Sequence, residues 1–449
     1  MKRKGPRKSF PPASRVPRRW RRWLAAGFAI SFAGLVVFQL FRTKPPPPPI
    51  VNTTEFDRVI AEAIAQARKD ILISPRSAKA RGHMGMVLLA HEVRSPARVC
   101  FEQAAALAPH EPRWPYFLGL AQLVDNPMAA ATNLDRAVRL FPENESAPRL
   151  RLAEVLLNLG RMEEAEAHYR RVWPRDTNSA LAGLGLGKVA VAQDRAAEAI
   201  NFLNAAVDHP STRKAAYRLL LNMDQKLGRT NQAEQLARRL AELPNDQPWP
   251  DPFFAEIEQL KTGEKAWIDL GDEWIKTGRV PEAVRLLEQT VRTYPNSDRA
   301  LFFLGRAYLR LGNTAGAEAA LTRAVELAPD SVEAQMQLGV TRLSQGRARA
   351  AQPCFRAALQ AKPNLSQAWF NLGLSLGVDV NRAESIAAFR EAIRLKPNLI
   401  EAYLGLAVAL QTDGQKQAAA GELRRALELQ PEEPLRQKLL AQLKLAEQP

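Results

Sequence analysis

The sequence predicts an all-α protein, a solenoid of helical hairpins standing behind one apolar N-terminal helix. Three observations predict it. Pro295, Pro329, Pro363, Pro397 and Pro431 recur every 34 residues. A small residue keeps the same period at Ala97, Ala131, Ala165, Ala199 and Ala233, and again at Ala283, Ala317, Ala351, Ser385 and Ala419. Residues 24–41 carry no charge at all. A fixed period of this length marks stacked supersecondary units rather than independent domains. Aromatics make up only 7% of the chain, and usage rich in Ala, Leu, Arg and Glu favours helix over sheet.

Residues 1–23 form a basic tail. Of the net charge of +16, ten positive charges lie in this tail with no acidic residue, which leaves the other 426 residues at only +6. The high pI is therefore mainly a property of the tail. Residues 24–41, LAAGFAISFAGLVVFQLF, would reach about 27 Å as a helix, enough for the hydrocarbon core of a bilayer. Trp20 and Trp23 stand at its entry, where indole rings favour the headgroup layer. Basic residues are far denser before the run than after it, where Arg42 and Lys44 follow. That bias places the N-terminus in the cytoplasm and the repeats in the periplasm, or on the luminal or extracellular side. Residue usage points to a bacterial inner membrane. A cleaved signal peptide is the competing reading, but Phe41-Arg42-Thr43-Lys44 fits a cleavage site poorly. The tail could also touch nucleic acid or anionic lipid; beside a membrane helix, its charge reads first as a topology determinant, so no nucleic-acid partner is expected.

Residues 42–52 are a Pro-rich spacer, in which Pro45–Pro49 favour a polyproline II rod of roughly 15 Å. Residues 53–77 read as a capping helix. Residues 78–247 hold a first block of about five repeats, and residues 264–433 a second block of five. The step from Ala233 to Ala283 is 50 residues, so the 16 residues 248–263 (PWPDPFFAEIEQLKTG) are inserted between the blocks. They read as a hinge or wedge. Residues 434–449 form a C-terminal capping helix.

The unit itself resembles the tetratricopeptide repeat. Asp298–Ser331 shows Leu301, Leu304-Gly305, Tyr308, Ala317, Leu321, Ala324 and Pro329. The next but one shows Trp369, Leu372-Gly373, Phe389, Ala392 and Pro397, and the first shows Met84-Gly85, Ala97, Phe101, Ala104 and Pro109. The resemblance spans roughly residues 55–433 and weakens over 112–247, where the closing proline drifts. It implies a right-handed superhelix of about ten hairpins whose first helices line an inner groove for peptides or partner domains. In the second block, the position that would face that groove is apolar in every unit: Ile268, Phe302, Met336, Phe370 and Leu404. Arg306, Gln337 and Asn371 stand beside it as polar contacts. The same position also packs against the neighbouring repeat in such arrays. A Lys- and Asn-based clamp for an acidic chain terminus is matched only at Asn371, which counts against a chaperone-tail receptor.

Catalytic signatures are missing: there is no GxxxxGK[ST], GxGxxG or HExxH, and no GxSxG at a strand-to-helix elbow, GLSLG at 373–377 falling inside the helical repeat. The five histidines are scattered, and Cys100 and Cys354 fall at one register in distant repeats, where small buried residues are expected. Neither an enzyme, a cofactor, a metal nor a small-molecule substrate is expected. The partners are other proteins or peptide segments, and the bilayer through 24–41. The first reading is an envelope-anchored scaffold for assembly or export. The alternative is a cytoplasm-facing recruiter of a membrane-associated biosynthetic complex.

Overall fold

Most hairpins close where a glycine on the first helix meets a large side chain on the second. A Cβ at Gly305 would lie 2.6 Å from Leu321 Cγ, and one at Gly373 would lie 2.9 Å from the Phe389 ring. Only a residue without a side chain lets the two helices approach so closely, and this explains why Leu-Gly keeps the 34-residue period. The chain reverses between the helices through Gly278, Gly312, Gly346 and Gly414, with φ between 75° and 83°. Gly312 ends its helix in a left-handed cap, its N–H donating to the Leu309 carbonyl. Serines open several first helices: Ser297 Oγ accepts from the Ala300 N–H at 2.9 Å, and Ser331 Oγ from the Ala334 N–H at 3.3 Å.

The computed structural model describes residues 45–173, 179–377 and 381–447, and all regular structure there is α-helical. The expected membrane segment at 24–41 and the basic tail lie outside the described residues. Among the described residues, no helix is long and apolar enough to cross a membrane. Two units are distinct, one of residues up to 53 and 62–260, the other of 54–61 and the residues from 261 onward. The helix α1 (Arg58–Ile73) contributes to both sets.

The first unit continues with five hairpins. These are α2 (Ala78–Ala90) with α3 (Arg94–Leu107), α4 (Arg113–Gln122) with α5 (Pro127–Leu140), and α6 (Ala147–Asn158) with α7 (Met162–Val172). Then come α8 (Ser179–Ala192) with α9 (Ala196–Ala206), and α10 (Arg213–Lys226) with α11 (Thr230–Glu242). A short α12 (Pro252–Glu258) follows from the inserted segment. The core is mostly apolar, and its largest buried polar side chain is Arg81, which is 1% exposed. Its guanidinium donates to the Pro75 carbonyl at 2.9 and 3.1 Å, to the Pro46 carbonyl at 2.8 Å, and to Gln103 Oε1. Gln103 in turn donates to the Pro47 carbonyl at 3.4 Å. The prolines expected to form a free-standing rod are thus tied to the first hairpin. The physical reason is that consecutive prolines leave their carbonyls without intrachain donors, and a buried arginine supplies them.

The second unit holds the regular block: α13 (Glu264–Lys276) with α14 (Val280–Thr293), α15 (Asp298–Leu311) with α16 (Thr314–Leu327), and α17 (Val332–Ser344) with α18 (Ala348–Ala361). It ends with α19 (Ser366–Gly377) and α20 (Arg382–Leu395), α21 (Ile400–Thr412) and α22 (Lys416–Glu428), and the closing α23 (Leu435–Ala446). Leu439 of α23 is fully buried against the last hairpin. Within this unit Asp57 accepts from the Tyr294 hydroxyl at 2.6 Å, so residues 54–61 pack on its first hairpin.

Within each unit, first helices touch the first helices of the next hairpin: α2 with α4, α6 with α8 and α8 with α10, then α13 with α15, α17 with α19 and α19 with α21. Each unit therefore presents its first helices together on one face, which is its inner face.

Candidate peptide groove

The inner face of the second unit changes character along its length, and one register controls the change. The residue after the small residue of each first helix runs Asp272, Arg306, Val340, Leu374, Val408. Asp272 and Arg306 neutralise one another at 2.9 Å, and Lys276 adds a second cation to Asp272 at 2.6 Å. The next three are apolar and stand in solvent, Val340 at 39%, Leu374 at 37% and Val408 at 43% exposure. A large aliphatic side chain repeated at one exposed register forms a continuous strip, where scattered exposure would be ordinary.

The strip deepens into a trough of about 390 Å³ between α19 and α21. Phe370, Leu374, Leu404 and Val408 form its walls, and Phe389 of α20 its floor. Glycine makes the floor reachable. Cβ atoms at Gly373 and Gly405 would lie 2.9 and 2.6 Å from the Phe389 ring, so both helices open over it. Phe370 leans on the same ring with centroids 6.0 Å apart and planes tilted by 57°. Arg382 and Glu401 stand on the rim with Thr412, one charge of each sign. An apolar slot with a few polar groups at its edge is suited to side chains of a partner segment. Covering Leu374 and Val408 would contribute on the order of 1 kcal/mol each.

Of the eight residues singled out in the sequence, Phe370 and Leu404 line this trough. Met336 and Phe302 are half-buried, Met336 packing beside Phe355 and Leu372, Phe302 beside Leu301 and Leu321. Arg306 is held by Asp272 and lies 5.1 Å from the Phe303 ring. Gln337 is half-buried, and its backbone carbonyl accepts from the Thr341 hydroxyl at 2.7 Å. Asn371 is 6% exposed and accepts from Gln367 at 3.4 Å. Ile268 is 1% exposed and belongs to the packing rather than to the open face. Leu374, Val408, Arg382 and Glu401 were missed. The first two carried a signal, because each lies four residues, one helical turn, beyond a residue that was chosen.

Chemistry elsewhere is quiet. Both cysteines are buried and free, and burial pushes the Cys100 thiol up to about 12, far from thiolate reactivity. Among the described residues, no group of three or more His, Cys, Asp or Glu could share a metal ion.

These features define a helical-hairpin repeat protein with an accessible inner face. The chain carries tetratricopeptide repeats. The tetratricopeptide repeat model matches residues 268–332, 336–400 and 381–434, and the protein kinase G tetratricopeptide repeat model matches residues 62–251. Among solved structures, a crystal structure of MamA protein is 26% identical over 37% of this chain and 91% of that one, with a TM-score of 0.36. MamA from Desulfovibrio magneticus RS-1 is 24% identical over 37% and 94%, with a TM-score of 0.36. YrrB, a TPR protein with an unusual peptide-binding site, is 18% identical over 42% and 96%, with a TM-score of 0.38. No curated protein matches the chain.

Proposed function

We propose that this protein is a non-catalytic scaffold, anchored in a membrane through residues 24–41, that binds apolar segments of partner proteins on the inner face of its second unit. The open trough at Phe370, Leu374, Leu404 and Val408 carries this reading, because exposed aliphatic side chains there have no packing role to explain them. Its mixed-charge rim favours a segment flanked by residues of both signs. The charge asymmetry around the anchor supports a cytoplasmic N-terminus with the repeats on the far side, in assembly or export at the cell envelope.

The test combines topology with partner capture. A C-terminal tag should resist protease in intact cells and become cleavable once the outer compartment is opened. Crosslinked partners of the wild-type chain should be lost, at least tenfold, from the variant carrying Leu374→Glu and Val408→Glu. Retention of every partner by that variant would remove the trough from the mechanism. A tag that stays cytoplasmic would instead favour the recruiter of a biosynthetic complex.

A further inference from the structure

The first unit also has an inner face, but its own chain lies across it. Asp246 accepts from the backbone N–H groups of Lys214 and Ala215 at 2.7 and 2.8 Å, at the start of α10. Gln247 donates its N–H to the Pro210 carbonyl at 3.0 Å, and the Pro248 carbonyl accepts from Ser211 Oγ at 3.3 Å. At the next residue, the Arg151 guanidinium of α6 stacks 4.2 Å from the Trp249 ring centroid. Asp251, 2% exposed, takes Arg151 at 3.0 Å and the Tyr116 hydroxyl of α4 at 2.5 Å. Phe253 then stacks on Tyr116 and Phe141 with centroids 5.3 and 4.8 Å away. The segment passes α10, α8, α6 and α4 in turn, against the order of the repeats.

The arithmetic is that of an extended peptide crossing a groove. Five residues separate Asp246 from Asp251, about 16 Å in extended form. Two steps between neighbouring first helices, from α10 to α6, span about 16–20 Å. The contacts are also those of ligand recognition: main-chain hydrogen bonds at one end, then a carboxylate held by an arginine and a tyrosine between two aromatic anchors. The fit is incomplete. Arg151 Nε and Trp249 Nε1 are buried with no partner among the described residues. A space of about 300 Å³ remains beside Trp249, walled by Leu157, Leu181, Leu184 and Lys188.

We propose that the inner face of the first unit is a second peptide site, specific for a segment with an acidic residue between aromatic ones, extended up to that residue and helical after it, and that residues 246–257 occupy it in cis. A partner segment of the same composition, large enough to fill the remaining space, replaces the strap. Arg151 and Tyr116 read its carboxylate, and the aromatic residues set its register.

The probe is a labelled synthetic peptide copying residues 246–258, with anisotropy read on the full chain. The wild type should bind it at least tenfold more weakly than the variant carrying Trp249→Ala and Phe253→Ala, which loosens the strap and leaves the host residues intact. A probe with Asn in place of the acidic residue, or the host change Arg151→Ala, should then lower affinity at least tenfold. A strap variant with native helical content that binds no better than wild type would overturn the proposal. If that variant does not fold, hydrogen exchange on the wild type decides. The amides of Gln247, and of Lys214 and Ala215 that donate to Asp246, should exchange at least tenfold faster than those of α6, because a bound segment can leave without unfolding its host. Equal rates would make the segment a fixed part of the core and end the proposal.

Discussion

Two inner faces built on one repeat differ in what covers them. In the second unit, Val340, Leu374 and Val408 stand exposed along the first helices. In the first unit the corresponding register runs Met86, Leu120, Glu154 and Lys188, and the chain's own Trp249, Asp251 and Phe253 lie over that face. The difference is one of chemistry rather than of fold. The 34-residue period places small residues where helices meet, and both units keep it. The residue after the small one is free of that duty, so it sets whether that part of the face is charged or apolar. A scaffold can therefore diversify its binding surfaces without touching the contacts that hold it together.

The largest way to break the comparison is Phe389→Ala. Its ring is 2% exposed and floors the open trough, so the loss should cost about 3–5 kcal/mol. Chemical denaturation followed by hydrogen exchange should place the damage in the second unit and leave α2 to α6 protected. In the first unit, Arg81→Leu should cost about 2–3 kcal/mol, because it removes the charge-assisted bonds that tie the Pro75 and Pro46 carbonyls to the buried guanidinium. A midpoint unchanged within error would mean that solvent satisfies those carbonyls.

The units should also respond differently to acid. Burial, with Arg149 and Arg171 nearby, lowers the His168 pKa to about 4. Its folded value lies below the unfolded one near 6.5, so the unfolded chain takes up the proton first. Stability from this group is complete above pH 6.5 and is lost as pH falls toward 4. The side chain is partly exposed, and after screening the loss should be about 1 kcal/mol. The first unit's resistance to denaturant should fall as pH drops through that window, and His168→Gln should flatten the dependence.

Smaller still is Glu92→Gly. Glu92 turns its hairpin at φ 62°, where the second unit uses glycine. The exchange should raise stability by about 0.5–1 kcal/mol in thermal melts. Least of all in stability terms, Leu374→Glu and Val408→Glu should each stay within about 0.5 kcal/mol of wild type, since both side chains face solvent. A large loss would show that they hold the hairpins together.

Period is what made the hairpins readable. Gly305 and Leu321, like Gly373 and Phe389, sit 16 residues apart, and local spacing of that kind survives in a single sequence. The trough was half legible, since Phe370 and Leu404 share the period and lack only the turn that adds Leu374 and Val408. The strap was not legible. Asp251 meets Arg151 and Tyr116 across 100 and 135 residues, and nothing periodic in residues 248–263 announces those partners. The docking of the Pro45–Pro49 spacer was not legible for a related reason: the arginine that binds the Pro46 carbonyl lies 35 residues away, in a helix that otherwise reads as ordinary core.

That capture has a mechanical side. A pull on the chain from upstream of Pro45 would not be absorbed by a slack leash. It would arrive at the Pro46 carbonyl and pass through the Arg81 guanidinium into the first hairpin. Tension applied at Pro45 would then be felt by folded repeats from the first few ångströms of extension.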